Sequence, residues 1–464
     1  MKRDGNGDLD PVEGGDRKML WDKGGNSDQG VIDFTAARDR VLDRELARWD
    51  VTGSMAHSVM LYESGIIERG ECATLLKALE GMLSTIESEG APSLRGHEDI
   101  HSAIEGRLVE LTGDTGKKIH AGRSRNDQVL TALSLYYRYE LASTIKVLHS
   151  LLKSMAQLSF RYSSVMMPGY THLQPAMPSS FGLWFGSWAE SLLEDMEEAA
   201  SAYTAVNRSP AGTAAGYGTT MPLKREVVTR LLDFDREVVN SLFIQLRRGK
   251  TDKRVADALA SAATTLSRLA GDVILFAASE FRFIRIADRF TTGSSIMPQK
   301  RNPDVFEIVR ARANVVRSLP ASVSMLITNL PSGYNRDYQV LKELIFPAFG
   351  EVRSLTAITE QMIANIEVRE EIIDDSYNQI FAAEEANRLV EEGYPFREAY
   401  RQVAASAGKK SFRATTPENY SHLGSIGNTG TEIIEERAGE VASSVRGVGA
   451  TELAASVASA LTRR

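Results

Sequence analysis

Cysteine is almost missing from this sequence: Cys72 is the single one in 464 residues. No internal disulfide can form, and no cluster of thiolates can hold a metal. Such usage fits a reducing compartment, and the expected location is cytoplasmic. Long apolar runs are also lacking. No stretch of about 18 apolar residues occurs, so no membrane span is expected, and MKRDGNGDLDPVEGGDRK, at the start, has none of the apolar character of a secretory signal. Positive charge is not in excess. Lys and Arg number 54 against 61 Asp and Glu, a formal net charge of −7, which argues against a nucleic-acid partner. An anionic ligand would need a local cluster of donors.

Proline is sparse and unevenly placed. Its 14 copies leave two long gaps, Ser93 to Met167 and Leu223 to Met297, and proline-free stretches permit long helices. Both gaps carry a helical seam. Leu130, Leu133, Tyr137, Leu141, Leu148, Leu152 and Met155 mark one; Leu259, Ala262, Leu266, Leu269, Val273 and Phe276 mark the other. Asn314–Leu330 and Leu341–Ile366 are further helical candidates, with kinks or starts at Pro320 and Pro347. Strand-like alternation and hairpin dipeptides are scarce in the middle of the chain. The expected fold is therefore all-α. A polar tail occupies 1–30, an N-terminal helical domain 31–120, a central long-helix bundle domain with a catalytic loop 121–368, and a small C-terminal helical domain 369–464. That much seam is more than one bundle uses, so association between subunits is expected.

Between the helices lie five polar segments. HEDIH, His97–His101, matches the H-E-x-x-H zinc pattern. Gly96 stands directly before it, which predicts a position in a helix's first turn, and the other histidines supply no third-ligand signature. The plainer reading is a polar first turn, with Glu98 and Asp99 near the positive end of a helix dipole. AGRSRNDQV, Ala121–Val129, crowds Arg123, Ser124, Arg125, Asn126 and Asp127 at the start of the first long helix. Capping uses one such residue; this density of donors suits an anion at a helix N-terminus. PGYTHLQPAMP, Pro168–Pro178, is a proline-framed loop that presents Thr171 and His172 between two long helices. TTGSSIMPQKRNPD, Thr291–Asp304, is poor in core residues and rich in donors: Ser294, Ser295, Lys300, Arg301 and Asn302. It is no nucleotide P-loop, and it reads as a lid closing over an anion. LPSGYNRDYQVLKE, Leu330–Glu343, holds Tyr334, Asn335, Gln339 and Lys342 at a helix start, with Gln339 and Lys342 on one face.

Together these segments resemble the fumarase/aspartase superfamily of helical lyases, and within it the argininosuccinate lyase family. GSSIMPQKRNPD is similar to the superfamily's signature loop, while AGRSRNDQV, GYTHLQPAMP and PSGYNRDYQ point to the narrower family. The resemblance runs from about Asp33 to about residue 460. It implies a homotetramer with a twenty-helix core and active sites shared between subunits, the substrate argininosuccinate, and neither metal nor organic cofactor. It implies Ser294 as the proton-abstracting residue, Lys300 facing the substrate carboxylate, and His172 as the partner acid–base group oriented by Glu307. Which of Ser294 and His172 is acid and which is base stays open. Substrate binding would fall to Ser124, Arg125, Asn126, Thr171, Tyr334, Gln339 and Lys342, with His101 nearby and Arg248 similar to a family arginine. The family's substrate-contacting serine ahead of the first conserved helix is not matched; Asp39 stands near that place. Another lyase of the superfamily and a non-catalytic structural descendant remain as alternatives.

Overall fold

A computed structural model describes residues 29–94, 97–373, 375–407 and 420–462. The expected N-terminal tail lies outside the described residues up to position 28, and a helix, Gln29–Asp43, already begins at its last two positions. The fold is helical throughout, apart from three two-stranded pieces among the described residues.

Four long helices make the body: Arg125–Arg161, Phe181–Val206, Lys250–Ala277 and Val340–Ile363. The first, 37 residues long, extends for about 55 Å at 1.5 Å per residue. Every seam position named above is buried. Each buried leucine contributes about 2 kcal/mol relative to exposure. The Arg125–Arg161 helix packs along Phe181–Val206, which in turn packs on Lys250–Ala277. Close approach of the first two requires Gly182, since a Cβ there would stand 2.5 Å from Ser163 Cα. Polar ties fix the register. Tyr137 Oη donates to Asp252 Oδ1 at 2.8 Å, and Trp184 Nε1 to Asp272 Oδ2 at 3.0 Å. By length and composition the run Phe243–Ala277 could cross a membrane. Its apolar side is instead the buried seam of this bundle.

Proline acts as its chemistry dictates. The candidate Asn314–Leu330 is not one helix: Asp304–Val316 ends ahead of Leu319–Leu326, which carries Pro320 in its first turn. Pro347 lies within the Val340–Ile363 helix. Toward the C-terminus, Thr431–Ser444 packs on the first two long helices and Ala450–Thr462 on Ala47–Glu63. Ala382–Glu391 and Phe396–Ala407 share a small apolar cluster around Ala386, Ala399 and Val403.

The longest of these strand pairs departs furthest from the all-helical expectation. The proline-framed loop is a β-hairpin, Met166–Thr171 paired antiparallel with Gln174–Ser180. His172 and Leu173 form its two-residue turn with φ of 54° and 57°. Such turns favour glycine and asparagine, for which φ > 0 is easy, so neither dipeptide nor alternation announced this one. Packing holds it: the Tyr170 ring lies 5.7 Å from Phe281 and 6.2 Å from Phe283.

Within the bundle, Asp195 is 2% exposed and accepts from Ser261 Oγ at 2.7 Å. Burial pushes its carboxyl up to about 6. A folded-state pKa above the unfolded value of about 3.9 means that the folded chain holds the proton more tightly. Stability from this group is therefore full below about pH 4 and is lost as pH rises through about 6, by about 3 kcal/mol. The Asp195→Asn variant is expected to lose that component. Denaturant melts of both proteins across this pH range check it; parallel pH profiles would refute it.

Candidate active site

The Arg125–Arg161 helix starts on a capping box. Ser124 Oγ accepts from Asn126 N at 3.0 Å, and Ser124 N donates to Asp127 Oδ2 at 2.9 Å. The Ser124 hydroxyl is thus engaged in capping. This start opens onto a cavity of about 250 Å³. Arg125, Asn126, Tyr334, Gln339 and Lys342 all line it, with Asp39, His101 and Arg248. Sequence positions more than two hundred apart meet because three elements converge there: the first helix, the long-helix start, and the short 3-10 turn Arg336–Gln339 that leads into Val340–Ile363.

The floor is a buried three-charge cluster. Lys342 is 3% exposed and pairs with Asp39 Oδ1 at 2.6 Å and with Asp43. Gln339 Nε2 donates to Asp39 Oδ2 at 2.9 Å, so Gln339 and Lys342 do share a face. Burial raises the Asp39 pKa, and the neighbouring Asp43 adds to it. For Lys342 burial alone would depress the ammonium, but Asp43 and Asp39 outweigh it and the net shift is upward. Asp43 was not singled out in the sequence, although its position four residues after Asp39 puts both on one helix face.

The wall beside it is made by the HEDIH segment. Asp99 is the N-cap of Ile100–Thr112 and accepts from Ser102 N at 2.8 Å. His97 and Glu98 therefore precede the helix instead of lying in its first turn, and His97 does not share a helix face with His101. Asp99 also pairs with Arg125, and Glu98 with Arg336 at 3.0 Å. His101 is fully buried, with Nδ1 3.0 Å from Asp50 Oδ1. Burial would lower its pKa, but contact with Asp50, and Asp99 and Asp43 beyond it, reverses this to a net rise. Arg248, also a lining residue, stacks its guanidinium on the rings of Tyr334 and Tyr338 at 5.3 and 5.1 Å. Gly249, at φ 79°, makes that turn possible; a Cβ there would meet Ile327 Cγ2 at 2.5 Å.

The other predicted residues are elsewhere. Ser294, Lys300, Thr171 and His172 do not line this cavity. His172 and Thr171 are exposed at the hairpin tip, and Lys300 is exposed on the Thr291–Asp304 loop. An antiparallel bridge between Thr292 and Asn302 pinches the base of that loop. Inside it, Ser294 Oγ accepts from the amides of Ile296 and Met297 at 3.4 and 3.3 Å. Ile296 is 83% exposed. Glu307 is exposed on Asp304–Val316, and among the described residues no hydrogen bond joins it to His172 within the protomer.

A family model described as lyase matches residues 31–318. A curated argininosuccinate lyase of Phocaeicola vulgatus is 45% identical over 419 residues, covering 90% of this chain and 94% of that protein. One from Bacteroides fragilis is 46% identical over 412 residues, covering 89% and 92%. This chain belongs to the argininosuccinate lyase family. Among solved structures, an EDDS lyase in complex with formate superposes with a TM-score of 0.73 at 22% identity, over 91% of each chain. A class II fumarase from Schistosoma mansoni does so with 0.65 at 16% identity, over 78% and 87%. These last two show the shared helical fold.

Membership in the argininosuccinate lyase family makes the protein a lyase. Sequence reading missed Arg336 and Asp43, both cavity residues. The signal for Arg336 was present in the quoted PSGYNRDYQ stretch; its pairing with Glu98, 238 residues away, was not.

Proposed function

We propose that the protein splits argininosuccinate into arginine and fumarate by β-elimination, reversibly, in the cytoplasm. The observation that carries this reading is the cavity itself. Its wall combines Arg125, Arg248, Arg336 and Lys342 with Asp39, Asp43, Glu98 and Asp99. That mixture suits a substrate bearing several carboxylates, an ammonium and a guanidinium, and is ill suited to a purely anionic one.

In the reaction a base takes the proton from the carbon beside a carboxylate. The electron pair is held transiently on that carboxylate, the C=C bond forms, and the C–N bond breaks as the guanidinium nitrogen takes a proton. Charge builds up on the carboxylate in the transition state, so a donor aimed there accelerates the step, each worth about 3 kcal/mol. We assign that position to Lys300, proton abstraction to Ser294, and the partner acid–base role to His172, oriented by Glu307. The two amide hydrogens already directed at Ser294 Oγ favour an alkoxide there, which supports its role as the base. Asn126, Thr171, Tyr334, Gln339 and Lys342 would hold the substrate, with Ser124 and Arg125 at the helix start.

The active form is proposed to be a homotetramer whose sites are shared between subunits. Two observations support this. The catalytic trio lies outside the protomer's own binding cavity. The Asp304–Val316 and Leu319–Leu326 helices also bury one apolar side while exposing Ile308, Val315 and Met325, at 54%, 71% and 80%. Apolar residues on both sides of a helix call for a second partner surface.

The test is fumarate release, followed by ultraviolet absorbance, from argininosuccinate, adenylosuccinate and malate without added metal. Activity on argininosuccinate alone is expected; turnover of another compound in its place would reassign the substrate. Site sharing is tested by unfolding and refolding Ser294→Ala together with Gln339→Ala. Mixed oligomers are expected to regain activity that neither parent has. A mixture as inactive as its parents would mean that each site is built from one chain.

A further inference from the structure

A second cleft, of about 470 Å³, adjoins the base of the Thr291–Asp304 loop and shares no lining residue with the first cavity. It forms where Thr291, Arg301 and Pro303 of the loop meet the ribbon in which Ile284–Ile286 pairs antiparallel with Ile366–Val368. Its lining carries four arginines, Arg282, Arg285, Arg301 and Arg369, against two carboxylates, Asp288 and Glu367, an excess of two positive charges. Both carboxylates are taken by Arg285, whose guanidinium lies 3.2 Å from Asp288 Oδ1 and 3.6 Å from Glu367 Oε2. Glu367 stands directly across the ribbon from Arg285, so that pairing is built into the strand register. Arg301 comes no nearer to Asp288 than 3.9 Å. Arg282 and Arg369 pair with no carboxylate among the described residues. Arg282 also holds φ of 51°, in the left-handed region that glycine enters freely and arginine does not.

Arg301 connects this cleft to the loop. Its Nη1 donates to the carbonyls of Pro298 and Lys300 at 3.0 Å each, while its Nε faces Asp288. One guanidinium thus grips the loop backbone beside Lys300 and lines the cleft. We propose that the cleft binds an oxyanion of the phosphate class through Arg282, Arg369 and Arg301, and that the bound ion fastens the loop to the strand ribbon. Guanidinium suits the task, because its planar fork of donors meets phosphate oxygens two at a time. The inference goes beyond the reaction proposed above. Only its consequence for catalysis rests on that reading: the loop carries Ser294 and Lys300, so restraining it slows its closing over a substrate.

The experiment is calorimetric titration of the full-length protein with inorganic phosphate, inorganic pyrophosphate and ATP, in buffer free of other oxyanions. Pyrophosphate is expected to bind, and more weakly as salt is added. The double variant Arg282→Gln/Arg369→Gln should weaken it at least ~10-fold, the loss of a charge-assisted contact. Arg282→Lys/Arg369→Lys, which keeps the charge, should recover part of the affinity. Arg125→Gln, in the first cavity, should leave it within about two-fold, as for a distant site. ATP binding more tightly than pyrophosphate assigns the site to phosphate esters, and the reverse order to the free ion. The loop is read by limited trypsin cleavage after Lys300 and Arg301. Saturating pyrophosphate should slow that cleavage at least ~5-fold in wild type and leave it unchanged in the double glutamine variant. No pyrophosphate binding, binding unchanged in that variant, or binding lost in Arg125→Gln would overturn the site. Binding without protection would overturn the tie to the loop. Neither readout uses turnover. A protein inactive on argininosuccinate that passes both would sink the reaction and leave this site standing, and an active protein that fails both would do the opposite.

Discussion

Ser294→Ala is expected to release fumarate at least ~100-fold more slowly than wild type, the low end for an acid–base residue, with its melting temperature and oligomeric state unchanged. The structure separates these effects cleanly. Ser294 sits in a loop whose neighbours are solvent-exposed, and among the described residues its hydroxyl bonds only to the loop's own amides. The loop's conformation is set elsewhere, by the Thr292–Asn302 bridge and by the contact between Thr292 Oγ1 and Asp304. Removing the hydroxyl therefore subtracts chemistry and leaves packing alone. Steady-state kinetics should show the loss in kcat with little change in KM, the pattern of an interaction made in the transition state. Activity within a few-fold of wild type would remove Ser294 from the reaction path and turn attention to His172.

Lys342→Met should have the largest effect on stability. Lys342 is the cation between two carboxylates that are themselves buried. Removing one partner from a buried ion cluster leaves uncompensated charge and costs about 3–5 kcal/mol. The sign of the pH dependence follows from the same geometry. Without the ammonium, which at present lowers it, the folded-state pKa of Asp39, already raised by burial and by Asp43, rises further above the unfolded value, so the folded form takes up protons more readily. The deficit should be largest near neutral pH and shrink as pH falls toward about 5. Adding Asp43→Asn to the variant should recover part of the loss. Denaturant unfolding at several pH values tests this. A deficit independent of pH would show that lost side-chain packing, not charge, is responsible.

How legible the molecule was in its sequence differs from element to element. The two seams were legible because a long helix repeats its buried face every three or four residues, and that period needs no knowledge of its partner. The Ser124 cap was legible because capping is local. The hairpin was not. Its strands carry prolines and a bulge, and its turn uses His172 and Leu173 where glycine or asparagine is usual. Anchoring by Tyr170 against Phe281 and Phe283, over a hundred residues later, holds it closed. The placement of HEDIH in a helix's first turn failed for a related reason. Its spacing fits a metal-binding helix, but Asp99 caps the helix partway through the motif and splits its two histidines.

Acting alone, then, the sequence determined the helical class, the positions of the long helices and the chemistry-bearing segments, because each rests on local periodicity, local capping or a contiguous motif. Tertiary structure decided which of those segments meet. It brought Asp39, from the first described helix, onto Lys342 about three hundred positions away, and it kept Ser294, His172 and Lys300 outside that cavity. Charge balance in the buried cluster depends on distances set by the packing of whole helices, and no short stretch of sequence encodes such a distance.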